Sequence, residues 1–179
     1  MPILVLDNII TPQFCDSMIR WFETEAVQYN GFIGRGQVKT AIKKSVDADI
    51  TNFRGDKYHL QNSYGRIMRE YVKYWKWIPR GQMYPSPFRM RRYNEGEDFY
   101  DWHTDYDINK KLGVRVATIL YYLNDAIGGE TEFHDGTIVE PKSGRVCVFP
   151  SHWSLPHRGR TPTKGSKYII TCFVYDKPL

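Results

Sequence analysis

The sequence predicts an α+β protein that is mainly β, with helices near its start packed outside a β-barrel or sandwich built by the rest. Three observations carry that reading. Leu60, Tyr64, Ile67, Met68, Tyr71, Val72 and Trp75 recur at steps of three and four, the period of an amphipathic helix. Beyond Pro87 the chain turns to short runs of β-branched and aromatic residues separated by Gly, Pro, Asn and Asp, the spacing of an all-β sandwich or barrel. The 179 residues, 41% hydrophobic and 15% aromatic, suffice for one core rather than two. The expected organisation is therefore one domain over residues 1–179, with helical support at about 11–79 and a β core at about 86–176.

Taken in order, Pro2 to Leu6 carries an apolar stretch that fits an opening strand. Thr11 and Pro12 read as N-cap and first helical residue, and Phe14, Met18, Trp21 and Phe22 supply the inward face of the helix that follows. Gly31 to Asp56 shows no sustained period and reads as a loop or irregular excursion, with a closing lid as one role for it. The second helix is expected from Tyr58 to Trp77, ended by Pro79. Seven strands are expected after it: Phe88 to Tyr93, Phe99 to Trp102, Val114 to Leu123, Thr131 to His134, Thr137 to Glu140, Arg145 to Phe149 and Lys167 to Tyr175. Neither half could bury its apolar face alone, so helices and strands should share a core. Gly128 and Gly129 suit a tight turn between strands.

Composition narrows the function classes. Cys15, Cys147 and Cys172 form neither a CxxC pair nor an even set, which argues against a disulfide framework or a zinc cluster. Twenty-five basic residues against twenty acidic ones give a net charge of +5, a modest excess spread along the chain that does not by itself mark a nucleic-acid binder. No apolar run nears the roughly 20 residues that cross a bilayer, so the expectation is a cytoplasmic protein without a membrane partner.

The residues that carry chemistry lie in the β half. His103 and Asp105 stand at i and i+2, on one face of an extended backbone, so an imidazole nitrogen and a carboxylate oxygen can converge on one ion. Two ligands alone are a weak signal, and a surface His beside a solvated Asp is the default. His157 offers a third donor. Two His and one carboxylate on one face of an ion leave the other positions open, as in non-heme Fe(II) oxygenases, though zinc accepts the same ligands. His134 and His152 are weaker candidates. Lys167 then heads a strand whose faces, Lys167, Ile169, Thr171 and Phe173 against Tyr168, Ile170, Cys172 and Val174, are both largely apolar. An inward lysine needs an anion, and no acidic residue of that strand shares its face nearby. It reads equally as a lysine at the solvent end of its strand, with its stem buried and its head wet.

Together these elements resemble the Fe(II)- and 2-oxoglutarate-dependent dioxygenases, in particular their prolyl 4-hydroxylase-like branch. The resemblance runs from Tyr93 through His103-Thr-Asp105, Arg115-Val-Ala-Thr118, Tyr121-Tyr-Leu-Asn-Asp125, Gly128-Gly-Glu-Thr-Glu-Phe133, Glu140-Pro-Lys-Ser-Gly144 and Ser154-Leu-Pro-His-Arg-Gly159 to Gly165-Ser-Lys-Tyr168. It implies a double-stranded β-helix, or jelly roll, with the N-terminal helices on one sheet. It implies Fe(II), 2-oxoglutarate and O2, with room for ascorbate. His103, Asp105 and His157 fall on the iron ligands of that family. Lys167 falls on the residue that pairs with the distal carboxylate of the cosubstrate, with Tyr122, Tyr93 and Thr171 also in its pocket, and Tyr100, Arg115 and Phe173 fall where relatives contact the target peptide. Phe173 stands where tryptophan is usual, a departure in the substrate pocket rather than in the iron site. An acidic Asp105, where related halogenases carry a small residue, favours hydroxylation.

Three functions compete on these grounds. The first is hydroxylation of prolyl residues in a peptide or protein, releasing succinate and CO2. The second is oxidative demethylation or hydroxylation of nucleic acid, prompted by the net charge and by Arg89, Arg91 and Arg92. That cluster otherwise reads as a solvated strand face. The third is a metal-binding β-barrel that acts as an interaction module without catalysis.

Overall fold

The computed structural model describes residues 2–34, 36–78 and 82–177. The chain opens with β1 (Leu4–Leu6), α1 (Pro12–Thr24), β2 (Tyr29–Asn30), β3 (Lys43–Lys44), β4 (Val46–Asp49), a 3-10 turn at Ile50–Asn52 and α2 (Lys57–Tyr74). There follow β5 (Gln82–Pro85), β6 (Arg89–Tyr93), β7 (Phe99–His103), β8 (Ile108–Asn109), β9 (Gly113–Tyr122), β10 (Ile127–Gly128) and β11 (Thr131–Phe133). The last are β12 (Ile138–Val139), β13 (Val146–Pro150), β14 (His157–Gly159), β15 (Pro162–Lys164) and β16 (Lys167–Lys177). The major sheet runs β1-β13-β9-β16-β6-β4-β2, the minor sheet β12-β11-β14-β7-β3, and β10 pairs with β15. Among the described residues all strand pairings are antiparallel. This is the jelly-roll arrangement that the sequence led us to expect.

Side-chain alternation along the major-sheet strands decides what each face meets. Met90, Ile119, Tyr121, Ile170 and Cys172 face the helices and pack with Phe14, Met18, Phe22, Leu60, Ile67 and Tyr71. Tyr93, Leu120, Tyr122 and Ile169 face the minor sheet and pack with Phe133 and Leu155. The functional cavity lies in this second layer. Thr11 caps α1 by accepting a hydrogen bond from the Phe14 N–H at 3.2 Å, with Pro12 at the first helical position, and Asp56 caps α2 through the His59 N–H. Helix α2 stops at Tyr74, short of the expected Trp77, where Trp75 becomes extended. Pro79, expected to end it, lies outside the described residues. Among the described residues no helix is long and apolar enough to cross a membrane. Cys15, Cys147 and Cys172 are free and buried.

The loop reading of Gly31 to Asp56 needs correction. Lys43–Lys44 pairs with β7 in the minor sheet, and Val46–Asp49 pairs with β6 in the major one, so this segment ties the two sheets together beside the cavity. It escaped notice because its pattern is inverted. Lys43, Ser45 and Asp47 alternate inward, with 1%, 5% and 0% of their surface exposed. A period of two carried by charged residues looks solvated to any hydrophobic pattern.

Candidate active site

Strands β7 and β14 are neighbours, with His157 in register with His103, and the chain leaving β7 brings Asp105 back beneath both. One donor atom from each of His103, Asp105 and His157 lies within 4.8 Å of the others. The Nε2 atoms of His103 and His157 stand 3.8 and 3.4 Å from the Asp105 oxygens. Each imidazole turns its Nδ1 to a carbonyl, Asp101 at 2.8 Å and Leu155 at 3.3 Å. A carbonyl can only accept, so Nδ1 carries the proton and Nε2 presents a lone pair inward. Two imidazole nitrogens and one carboxylate oxygen, so oriented, fit an iron(II) centre with open positions.

Neighbouring groups fix Asp105. Thr118 Oγ1 donates to its Oδ2 at 2.7 Å and lies 2.7 Å from Ser151 Oγ, while Arg115 Nη1 donates to its carbonyl at 3.0 Å. Burial alone would raise the Asp105 pKa, but the adjacent His157 and His103 and the Thr118 hydroxyl hold it well below the ordinary carboxylate value. Burial and the neighbouring His157 lower His103 to about 4.

Besides the three donors, the cavity is lined by Arg91, Tyr93, Tyr100, Thr131, Lys167 and Thr171 among others. Lys167 is 2% exposed. Its ammonium donates to the Gly129 carbonyl at 2.7 Å and sits 4.5 Å from the Tyr93 ring centre, and among the described residues no carboxylate lies within ion-pairing distance of it. Of its two sequence readings, the inward one is correct. Burial pushes Lys167 down to about 7 from 10.5, with Glu130 opposing weakly. Gly129, at φ +70°, leaves room for this side chain, since a Cβ there would meet Lys167 Cδ at 3.3 Å.

The other sequence candidates divide. Tyr93, Tyr100 and Thr171 line the cavity, Tyr93 with its phenol pKa raised by burial. Tyr100 stacks on His103 at 3.5 Å between ring centres, and burial pushes it up to about 12. Tyr122 lies one layer behind, its hydroxyl donating to Thr131 at 2.7 Å, so it meets the cavity through Thr131. Arg115 and Phe173 are outside the lining; the guanidinium sits 3.7 Å over the Phe173 ring and reaches Asp107 and Tyr175. His134 packs near Trp102, and His152 bonds Ser154, both away from the donor set.

Arg91 was missed. The solvated-face reading of Arg89, Arg91 and Arg92 fails because all three are paired. Arg89 meets Asp49, Arg92 meets Glu23, and Arg91 meets Asp47 at 3.3 Å and Thr171 at 2.6 Å. Arg91, with an 11% exposed side chain, points into the cavity. The available signal was parity, since Arg91 is two residues from Tyr93 on a strand the sequence already marks.

Residues 88–175 match the family model described as the 2OG-Fe(II) oxygenase superfamily. No curated protein matches the sequence significantly. Among solved structures, a viral collagen prolyl hydroxylase from Paramecium Bursaria Chlorella virus-1, in a 2OG complex, is 18% identical with a TM-score of 0.69, covering 97% of this chain and 96% of that one. A prolyl hydroxylase from Trichoplax adhaerens, in complex with a hypoxia inducible factor peptide fragment, is 17% identical with a TM-score of 0.77, covering 98% and 84%. A prolyl-4-hydroxylase from Pseudomonas putida is 17% identical with a TM-score of 0.72, covering 98% and 93%.

Proposed function

Residues 88–175 belong to the 2OG-Fe(II) oxygenase superfamily, and from that premise we propose that this 2-oxoglutarate-dependent dioxygenase hydroxylates prolyl residues in a peptide or protein. Its cofactors are Fe(II) and 2-oxoglutarate, with O2. The observation that carries the reading is the buried, carboxylate-free ammonium of Lys167 in the cavity that His103, Asp105 and His157 border.

In this reading the His103 and His157 Nε2 atoms and an Asp105 oxygen hold the metal. Thr118 and the Arg115 contact to the Asp105 backbone fix the carboxylate. Lys167 pairs with the distal carboxylate of the cosubstrate, which would supply the anion its burial calls for. Thr131, braced by Tyr122, and Tyr93 shape that end. Tyr100, stacked on His103, covers the ligand from the side and helps exclude water. When bound, iron and 2-oxoglutarate supply the oxidising power: O2 is split, 2-oxoglutarate leaves as succinate and CO2, and a C–H bond becomes C–OH.

Two features support a prolyl peptide. The three structural neighbours are prolyl hydroxylases by name. Exposed aromatic side chains also follow the site residues in sequence: Tyr106 after Asp105, and Trp153 just beyond Ser151. Aromatic surfaces recur where proline-rich segments dock. The nucleic-acid reading loses its motive, because Arg89 and Arg92 are paired with Asp49 and Glu23, and Arg91 points into the cavity rather than out from the surface. A screen of proline-containing peptides with Fe(II) and 2-oxoglutarate, read by mass spectrometry, should give a +16 Da product on proline with matching succinate release. Succinate formed only uncoupled, or coupled to another residue or to a nucleic acid, would overturn the assignment.

A further inference from the structure

The cavity holds a second cation for which the chemistry above has no use. On β6 Arg91 shares the inner face with Tyr93, and its backbone pairs with Ile169, midway between Lys167 and Thr171 on β16. Two of its nitrogens are committed, Nε to Asp47 and Nη1 to Thr171. Among the described residues Nη2 has no hydrogen-bond partner. Asp47 cannot neutralise Arg91 fully, because its Oδ2 also accepts from Lys43 at 2.9 Å and its Oδ1 from Ser45 at 2.8 Å. The guanidinium thus lines the cavity with only a share of one carboxylate oxygen, where desolvation makes an incompletely paired ion expensive.

The position along the sheet says what that charge meets. Thr171 is in register with Leu120, and Phe173 with Thr118, whose hydroxyl holds Asp105. Arg91, reaching Thr171, therefore stands toward the metal-donor end. Lys167 lies four residues further along β16, about 13 Å at roughly 3.3 Å per residue. One cavity thus has a fixed cation toward each end.

We propose that Arg91 is a cosubstrate-binding residue: its Nη2 donates to the metal-proximal carboxylate of 2-oxoglutarate, so that the diacid is clamped between Arg91 and Lys167. This rests on the reading of Lys167 and the His103, Asp105 and His157 donors given above. Asp47 and Thr171 hold the guanidinium in place, and Lys43 shares the Asp47 carboxylate from behind.

The test is anaerobic titration of the Fe(II) protein with 2-oxoglutarate and with 2-oxobutanoate, which keeps the carboxylate and oxo pair and lacks the distal carboxylate. The visible charge-transfer band reports binding. Arg91→Gln should raise the dissociation constant of both probes by the same factor, at least about tenfold, the scale of one charge-assisted hydrogen bond. Lys167→Met should weaken 2-oxoglutarate alone. If Arg91→Gln melts early, Arg91→Lys keeps a cation on Asp47 while removing the Nη2 donor, and should show the same loss in a folded protein. An Arg91→Gln protein that binds both probes as the parent does, or that changes only the KM for peptide, overturns the proposal. If Lys167→Met also leaves 2-oxoglutarate binding intact, the reading beneath it falls as well.

Discussion

Asp105 and Asp47 are both carboxylates withdrawn from water beside one cavity, and their surroundings are opposite. Asp105 meets two imidazoles and a threonine hydroxyl; with each Nδ1 turned to a carbonyl, the imidazoles offer lone pairs inward, so the cluster is arranged to receive a cation. Asp47 already holds Lys43 and Arg91. Burial would raise its pKa, but those two basic groups keep it below the ordinary value, and the Arg91 guanidinium, sharing that carboxylate with Lys43, faces the cavity. A metal and a dianion can enter together because the protein keeps these two imbalances apart in one space.

Swapping the two losses breaks or sharpens this contrast. Asp105→Ala should lower Fe(II) affinity and turnover by more than about 100-fold, beyond the usual effect of removing an outer partner of a metal ligand, while the metal-free fold survives. Asp47→Ala should instead destabilise the protein by about 3–5 kcal/mol, because Lys43 and Arg91 become unpaired buried cations. Iron binding measured beside urea denaturation reads both. A large stability loss for Asp105→Ala with little for Asp47→Ala would invert the comparison.

The same contrast explains what the sequence disclosed. His103 and Asp105 could be picked out by their i, i+2 spacing on an extended backbone, His157 as a third donor, and Lys167 because it heads a strand whose period was already visible. The helices α1 and α2 and the strands β6, β7, β9, β13 and β16 were legible for the same reason, their apolar residues marking the buried face. The Lys43–Asp47–Arg91 cluster was not, since β3 and β4 are short and bury charge at their inward positions. Only the pairing with β6 and β7 reveals that those charges are internal, and pairing is non-local. Arg115 and Phe173 differ again: the strand reading put Phe173 on the Lys167 face, yet the Arg115 guanidinium closes over the Phe173 ring and neither lines the cavity.

A milder variant probes the Asp105 side. Thr118→Val keeps the shape and removes the hydroxyl that donates to Asp105 and meets Ser151. Fe(II) affinity should fall about tenfold, the lower range for a group that orients a metal ligand, with the peptide KM unchanged at saturating metal. An unchanged iron dissociation constant would mean that the two imidazoles alone position the carboxylate.

The smallest effect, and the one that tests the cation side without mutation, is pH. Lys167 has a folded-state pKa pushed down to about 7 by burial, from 10.5 in the open. A lowered lysine pKa means that the unfolded chain holds the proton where the folded one has released it, so metal-free stability should rise with pH between about 7 and 10.5. Cosubstrate binding runs the other way. Only the ammonium pairs with a carboxylate, so above pH 7 binding must first take up a proton, and affinity for 2-oxoglutarate should fall by up to about tenfold per pH unit. Titrations between pH 7 and 9 stay above the range where His103 would compete for protons; Lys43, lowered by burial to about 7 as well, titrates behind Asp47 in the same window, and 2-oxobutanoate is the control for it. Calorimetry in buffers of different ionisation enthalpy counts the proton directly: close to one taken up per 2-oxoglutarate at pH 8.5, and none for 2-oxobutanoate, which leaves Lys167 unpaired. Equal uptake for the two acids would place the titrating group at the donor end of the cavity and remove Lys167 from the distal carboxylate.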